Sequence, residues 1–305
     1  MKALYAGFCW LLVAGCHSAP TSLLDARAGF QTHLTAAKEA GLPPDTPPPA
    51  LFKVVRYPAP VGALAAYMSP DPGDGRRHPA IIWITGGDCN SIGDVWTPNP
   101  PENDQSAAAF RQARLVMLYP SLRGGNDNPG RKEGFWGEVN DVLAATAFLK
   151  KQPYVDPKRI YLGGHSTGGT LAMLVAESSP QYRAVFAFGP VDEAAGYGPN
   201  SGFLPFDMSR TEESRLRSPG EWLSLVQSPL WVIEGTEESN IESLRAMKEA
   251  NHNPLTHFLE ARNESHFSVL APATQLLAQK IRADSAATSR IQITEAELQN
   301  QFRQL

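Results

Sequence analysis

The sequence is poor in cysteine, in charge of one sign and in long apolar runs. Three cysteines in 305 residues cannot build a disulfide framework. Lys and Arg number 27 against 31 Asp and Glu, for a net charge of −4. That balance excludes a binder that works by neutralising nucleic-acid phosphates. No run of about 20 apolar residues lies beyond the N-terminus, which excludes a bundle of membrane-spanning helices. What is present is 42% hydrophobic residues, too many for a disordered chain. A globular body of one large domain or two small ones remains.

The N-terminus reads MKALYAGFCWLLVAGC. Lys2 supplies a positive start, and Ala3 to Ala14 is an apolar run too short to span a bilayer but suited to a signal peptide. The run ends in Val13-Ala14-Gly15-Cys16, which resembles the lipobox of bacterial lipoproteins. The resemblance implies removal of residues 1–15 as a signal peptide and a lipid on Cys16. The chain would then be exported and anchored to a bacterial membrane, facing the periplasm or the cell exterior. An ordinary secretory signal cut elsewhere, for example after Ala19, is the alternative. With Cys9 removed and Cys16 lipidated, only Cys89 stays free, and the fold has no internal disulfide.

Residues 16–50 read as tether and connector. A short helix is expected in Leu23 to Ala40, and Gly41 to Ala50 is Pro-rich. Strand and helix signals alternate over 51–285, which reads as one domain. Leu51 to Tyr57 and Gly62 to Met68 form two strands joined at Pro58-Ala59-Pro60, which suggests an antiparallel edge. Ala80 to Thr85, Leu115 to Tyr119, Arg159 to Leu162, Ala184 to Phe188, Leu230 to Ile233 and Leu255 to Ala261 are further strands. Helices are expected over Gly137 to Lys151, Gly168 to Glu177, Ile241 to Ala250 and Ser268 to Ala283. This alternation implies an α/β fold with a mostly parallel sheet covered on both faces. Asp192 to Gln227 breaks the rhythm and suggests a cap. Residues 286–305 form a helical tail, with Thr294 and Glu297 at capping-box spacing.

Gly164-His165-Ser166-Thr167-Gly168 follows a strand and opens a helix, the context a G-x-S-x-G nucleophile elbow requires. Side chains in place of the two glycines would collide with the packed strand and helix. The turn presents the Ser166 hydroxyl at a helix N-terminus, where the dipole favours developing negative charge.

A serine hydroxyl needs a base oriented by an acid, in the order Ser, acid, His. His266, in the loop after the last strand, is the base. His165 adjoins the serine and points away from its hydroxyl. For the acid, Glu238 in the loop after Leu230 to Ile233 is first choice, with Glu237 and Asp192 as alternatives. The oxyanion hole needs two convergent backbone N–H groups. Thr167 supplies one, and Gly87 in Gly86-Gly87-Asp88-Cys89-Asn90 supplies the other. Cys89 reads as an inert small residue rather than a second nucleophile.

These motifs together resemble the α/β-hydrolase superfamily, and within it the catalytic domain of prolyl-oligopeptidase-type serine hydrolases. The matching residues are Ile84-Thr85-Gly86-Gly87, Leu122-Arg123-Gly124-Gly125, Gly137-Glu138 through Asp141-Val142, Pro157-Lys158-Arg159-Ile160 leading into Gly164 to Gly169, Ser218-Pro219 through Pro229-Leu230, Gly235 to Glu238, and Ser265-His266-Phe267. The resemblance spans about residues 50 to 285 and implies a central sheet of about eight strands. The family's acidic position, an aspartate, is held here by Glu238, and Thr85 stands where the family's first loop usually begins with His. About 50 residues precede the domain, too few for the propeller that many members carry.

The expected function is a serine hydrolase that cleaves an ester or amide bond through an acyl-enzyme on Ser166. Its substrate is a small ester or a short peptide, with no cofactor, metal or nucleic acid implied. The alternative is a surface-anchored binding protein that keeps the fold without turnover.

Overall fold

A computed structural model describes residues 19–35, 41–198 and 204–303. The signal-peptide and lipid-anchor expectations, including Cys16, lie outside the described residues.

The centre is one eight-stranded sheet in the order β1-β2-β4-β3-β5-β6-β7-β8. Its strands are β1 Lys53–Ala59, β2 Gly62–Met68, β3 His78–Ile84, β4 Val116–Pro120, β5 Val155–His165, β6 Ala184–Phe188, β7 Leu230–Glu237 and β8 Thr256–Ser265. β1 and β2 pair antiparallel, as does β2 with β4. The remaining pairings are parallel. The first hairpin turns at Pro60 and Val61 rather than at Pro58, because β1 runs on through Ala59.

The continuous apolar strands are explained by burial on both faces. In β3, Ala80, Ile82 and Ile84 enter one core, while Ile81 and Trp83 enter the other. β7 divides the same way, with Leu230 and Val232 on one side and Trp231 and Ile233 on the other. The period of two thus distributes one apolar run between two helical layers.

The helices are α1 Leu23–Ala26, α2 Ala108–Gln112, α3 Glu138–Lys150, α4 Thr167–Ser178, α5 Thr211–Arg215, α6 Ile241–Ala250, α7 Leu270–Ala283 and α8 Glu295–Phe302. Every residue of α4 is buried, so it has no face open to solvent. It packs on the sheet beside α3, and α1 and the turns at Pro219–Glu221 and Leu223–Leu225 cover it from outside. α8 opens with the expected capping box of Thr294 and Glu297.

α1 is shorter than the sequence suggests. It stops at Arg27, whose buried guanidinium donates to the carbonyls of Phe135, Trp136 and Leu216. The following residues lie on the body: Leu34 bridges to Phe206, and Glu213 accepts from the His33 N–H and the Thr32 hydroxyl. Residues 192–198 and 204–227 carry only short helical turns. Buried Arg217 secures them, paired with Glu213 at 2.5 Å and stacked on Trp136 and Phe206.

Candidate active site

Ser166 ends β5 and starts α4 with φ 55° and ψ −118°, a conformation side-chain-bearing residues avoid. The flanking glycines make the turn possible. A Cβ on Gly164 would overlap the Gly168 carbonyl, and one on Gly168 would overlap the Ile84 carbonyl of β3. The Ser166 N–H is tied to Phe188 O at 2.7 Å, which fixes the turn against the end of β6. Ser166 is half-buried, and its hydroxyl has no hydrogen-bond partner among the described residues.

His266 lies just past β8. Its Nδ1 is 2.9 Å from Glu234 Oε2. Glu234 is fully buried, and its carboxylate also accepts from the Gly235 N–H at 2.7 Å and the Asn240 N–H at 3.3 Å. The acid partner of His266 is therefore Glu234, a residue the sequence reading passed over. Glu238, the expected acid, is exposed, has φ 44° and does not reach the imidazole. The physical reason is the length of β7. The strand continues to Glu237, which pairs in register with Ser265. Glu237 and Glu238 are thus carried past the imidazole and out to solvent. Asp192, the other alternative, accepts from the Ser243 hydroxyl at 2.7 Å. The signal for Glu234 was a glutamate directly continuing a buried apolar strand, where an ionisable group needs a partner.

Two further residues shape this pair. Gly189 has φ 56°, and a Cβ there would lie 2.5 Å from Glu234 Oε2 and 2.6 Å from His266 Nδ1. Its carbonyl accepts from Asn240 Nδ2 at 2.8 Å. His165 is buried beneath the site. Its Nε2 donates to the His266 carbonyl at 3.0 Å, and the two imidazole rings are 4.5 Å apart. Burial, and then the proximity of His266, lower its pKa to about 3, so it stays neutral and acts as a prop rather than a base.

Gly86 passes so close to the elbow that a Cβ would lie 3.2 Å from Ser166 Cβ. Gly87 has φ 69° and open space where its Cβ would be. The Thr167 hydroxyl donates to Gly87 O at 2.8 Å, clamping the loop to the first turn of α4. Among the described residues, neither the Gly87 nor the Thr167 N–H is taken by another acceptor. The loop is anchored from behind by Asn90, which donates to Arg123 O and Glu138 Oε1. Arg123 makes a two-pronged ion pair with Asp141 of α3, so these motif residues are structural. Cys89 is buried, and burial pushes its thiol far above the usual range, which removes it as a nucleophile. No cluster of His, Cys, Asp and Glu able to hold a metal occurs among the described residues.

Comparison with known proteins agrees with this geometry. Residues 103–217 match the model of the prolyl oligopeptidase family. The chain is 24% identical over 181 residues to the uncharacterized peptidase YtmA of Bacillus subtilis, covering 56% of this chain and 67% of that one. Among solved structures, puromycin hydrolase superposes with a TM-score of 0.61 at 19% identity, covering 81% of this chain and 42% of that one. The acylaminoacyl peptidase of Pyrococcus horikoshii gives 0.59 at 14% identity, covering 81% and 44%. The chain thus spans less than half the length of these solved relatives. The eight-stranded sheet and the elbow are thus those of the α/β-hydrolase fold seen in these peptidases, and residues 103–217 are similar to the prolyl oligopeptidase family.

Proposed function

We propose that this protein is a serine hydrolase of peptidase type that cleaves amide or ester bonds of small substrates through an acyl-enzyme on Ser166. The observation that carries the reading is the buried Glu234–His266 pair beside the strained Ser166 elbow. In this mechanism His266 takes the hydroxyl proton as Ser166 attacks the substrate carbonyl. Glu234, accepting from Nδ1, holds the imidazole in position and stabilises the imidazolium. The N–H groups of Gly87 and Thr167 hold the oxyanion. His266 then protonates the leaving amine or alcohol, and water releases the acyl group by the same steps in reverse. The unpaired Ser166 hydroxyl is consistent with catalytic hydrogen bonds that tighten only around substrate.

The names of the relatives support an amide substrate, a short peptide or an aminoacyl compound, with esters as a second class. The turnover-free binding reading has no observation in its favour, since a strained serine and a buried ion pair would have no use in it. The lipobox motif further supports an exported chain anchored to a membrane through Cys16.

A fluorophosphonate probe tests the reading. It should label the wild type and leave Ser166→Ala unlabelled, and matched ester and peptide substrates should then be hydrolysed only by the wild type. Equal labelling of both proteins would overturn it.

A further inference from the structure

The edge of the sheet opposite the serine carries a concentration of unpaired arginines. Two adjoining shallow cavities share Asp74, His78 and Arg114 in their walls. Arg76, Arg77, Arg159 and Arg282 line one, and Arg111 lines the other. None of these six guanidinium groups forms an ion pair among the described residues, whereas Arg56, Arg123, Arg183, Arg215, Arg217 and Arg245 all do. Asp74 is the one carboxylate lining the two cavities, and it is engaged by His78 Nε2 at 3.0 Å. Arg159 donates to Ile281 O at 2.7 Å, yet its buried Nε finds no partner. So dense a positive patch on a chain of net charge −4 reflects segregation of charge, not a general excess.

Its place in the fold gives it a direction. His78 begins β3, and Arg159 lies on the early part of β5. Residues 159 to 166 span about 23 Å at roughly 3.3 Å per residue, so the arginines lie a full strand length from Ser166. The described N-terminal segment touches the body near the start of β7, at the end of the sheet where β3 and β5 also begin. Thr21 O accepts from Gln227 Nε2 at 3.3 Å, just ahead of β7. Thr21 therefore lies toward the start of the parallel strands and not at the Ser166 end.

We propose that this arginine-lined edge binds the phosphate groups of an anionic lipid surface and turns the catalytic edge away from the bilayer. Guanidinium groups offer paired donors to phosphate oxygens, and unpaired ones need break no ion pair to do so. The phosphate contact stands on the arginines alone. The orientation rests also on the reading of Cys16 as the anchor.

The test uses unlipidated protein, Cys16→Ser, so that anchoring and charge are separated. It is mixed with phosphatidylcholine vesicles and with the same vesicles containing phosphatidylglycerol. We expect sedimentation only with the phosphatidylglycerol vesicles, weakening as salt rises. Arg76→Gln, Arg77→Gln, Arg114→Gln and Arg282→Gln combined should weaken it roughly fivefold per arginine. Fluorophosphonate labelling of the same variant should be unchanged, which reports an intact fold and keeps this result separate from the hydrolase reading. Equal sedimentation with both vesicles, or none with either, would overturn the proposal, as would undiminished binding by the labelling-competent variant. Thermal stabilisation by inorganic phosphate without vesicle binding would also overturn it, and would assign the patch to a soluble phosphate ester.

Discussion

His266 Nδ1 lies 2.9 Å from Glu234 Oε2, on a carboxylate four residues ahead of Glu238. A glutamate starting deeper in the strand reaches the imidazole that the later residue overshoots. Glu234→Gln should therefore lower kcat/KM by on the order of 10³-fold or more, as expected when the group fixing the imidazole tautomer is neutralised. Glu238→Gln should retain near-normal kcat/KM on the same substrate. The opposite ranking would return the acid role to the loop.

Gly189 is the contact on which the pair depends. With φ 56° and no room for a Cβ between Glu234 and His266, Gly189→Ala must displace the imidazole. A shift of about 1 Å costs on the order of 10²-fold in rate. Steady-state kinetics should show that loss while circular dichroism shows retained secondary structure. An active Gly189→Ala enzyme would mean that the histidine loop tolerates movement.

The elbow stores strain. Ser166 occupies φ 55° and ψ −118°, where a side chain costs about 1–3 kcal/mol and glycine costs little. Both Ser166→Ala and Ser166→Gly should be inactive. The glycine variant should be the more stable by about 1 kcal/mol in denaturant titration. Equal midpoints would show that the turn is relaxed.

Glu177 is fully buried in α4, with both carboxylate oxygens unpartnered among the described residues. Burial pushes its pKa well above 4.5, against a smaller opposing influence from Arg27. The unfolded chain releases this proton near pH 4.5, while the fold retains it to higher pH. The stability it contributes is thus fully present below that value and declines as pH rises. Glu177→Gln should match wild type near pH 4 and melt roughly 2–4 °C higher near pH 8. A constant difference across the range would refute the linkage.

Cys16→Ser should release the protein from the membrane fraction once salt has displaced any binding through the arginines. If partition stays unchanged after a high-salt wash, lipidation at Cys16 is wrong.

Much of the catalytic apparatus could be read in advance because it depends on local geometry. Gly164, Ser166 and Gly168 are a steric requirement of one strand-to-helix turn, so their spacing alone points to the elbow. The apolar runs of β3, β4, β6 and β7 identify strands buried on both faces, and their alternation with helices fixes a parallel sheet. The roles of His165 and Gly189 depend on contacts with a loop about a hundred and about eighty residues away, respectively, and no short pattern encodes them. The acid was misplaced for a related reason. Strand ends are set by pairing, and β7 extends because β8 stays beside it through Ser265.

The sequence by itself determined the fold class, the sharp turn that carries Ser166 and the loops that carry Gly87 and His266, because periodicity and close packing within a few residues leave few alternatives. Only the tertiary structure decided which carboxylate orients His266 and where the arginines gather. Both depend on register and on the packing of distant segments: Glu234 reaches the imidazole through the pairing of β7 with β8, and arginines from separate parts of the chain meet at the edge where β3 and β5 begin.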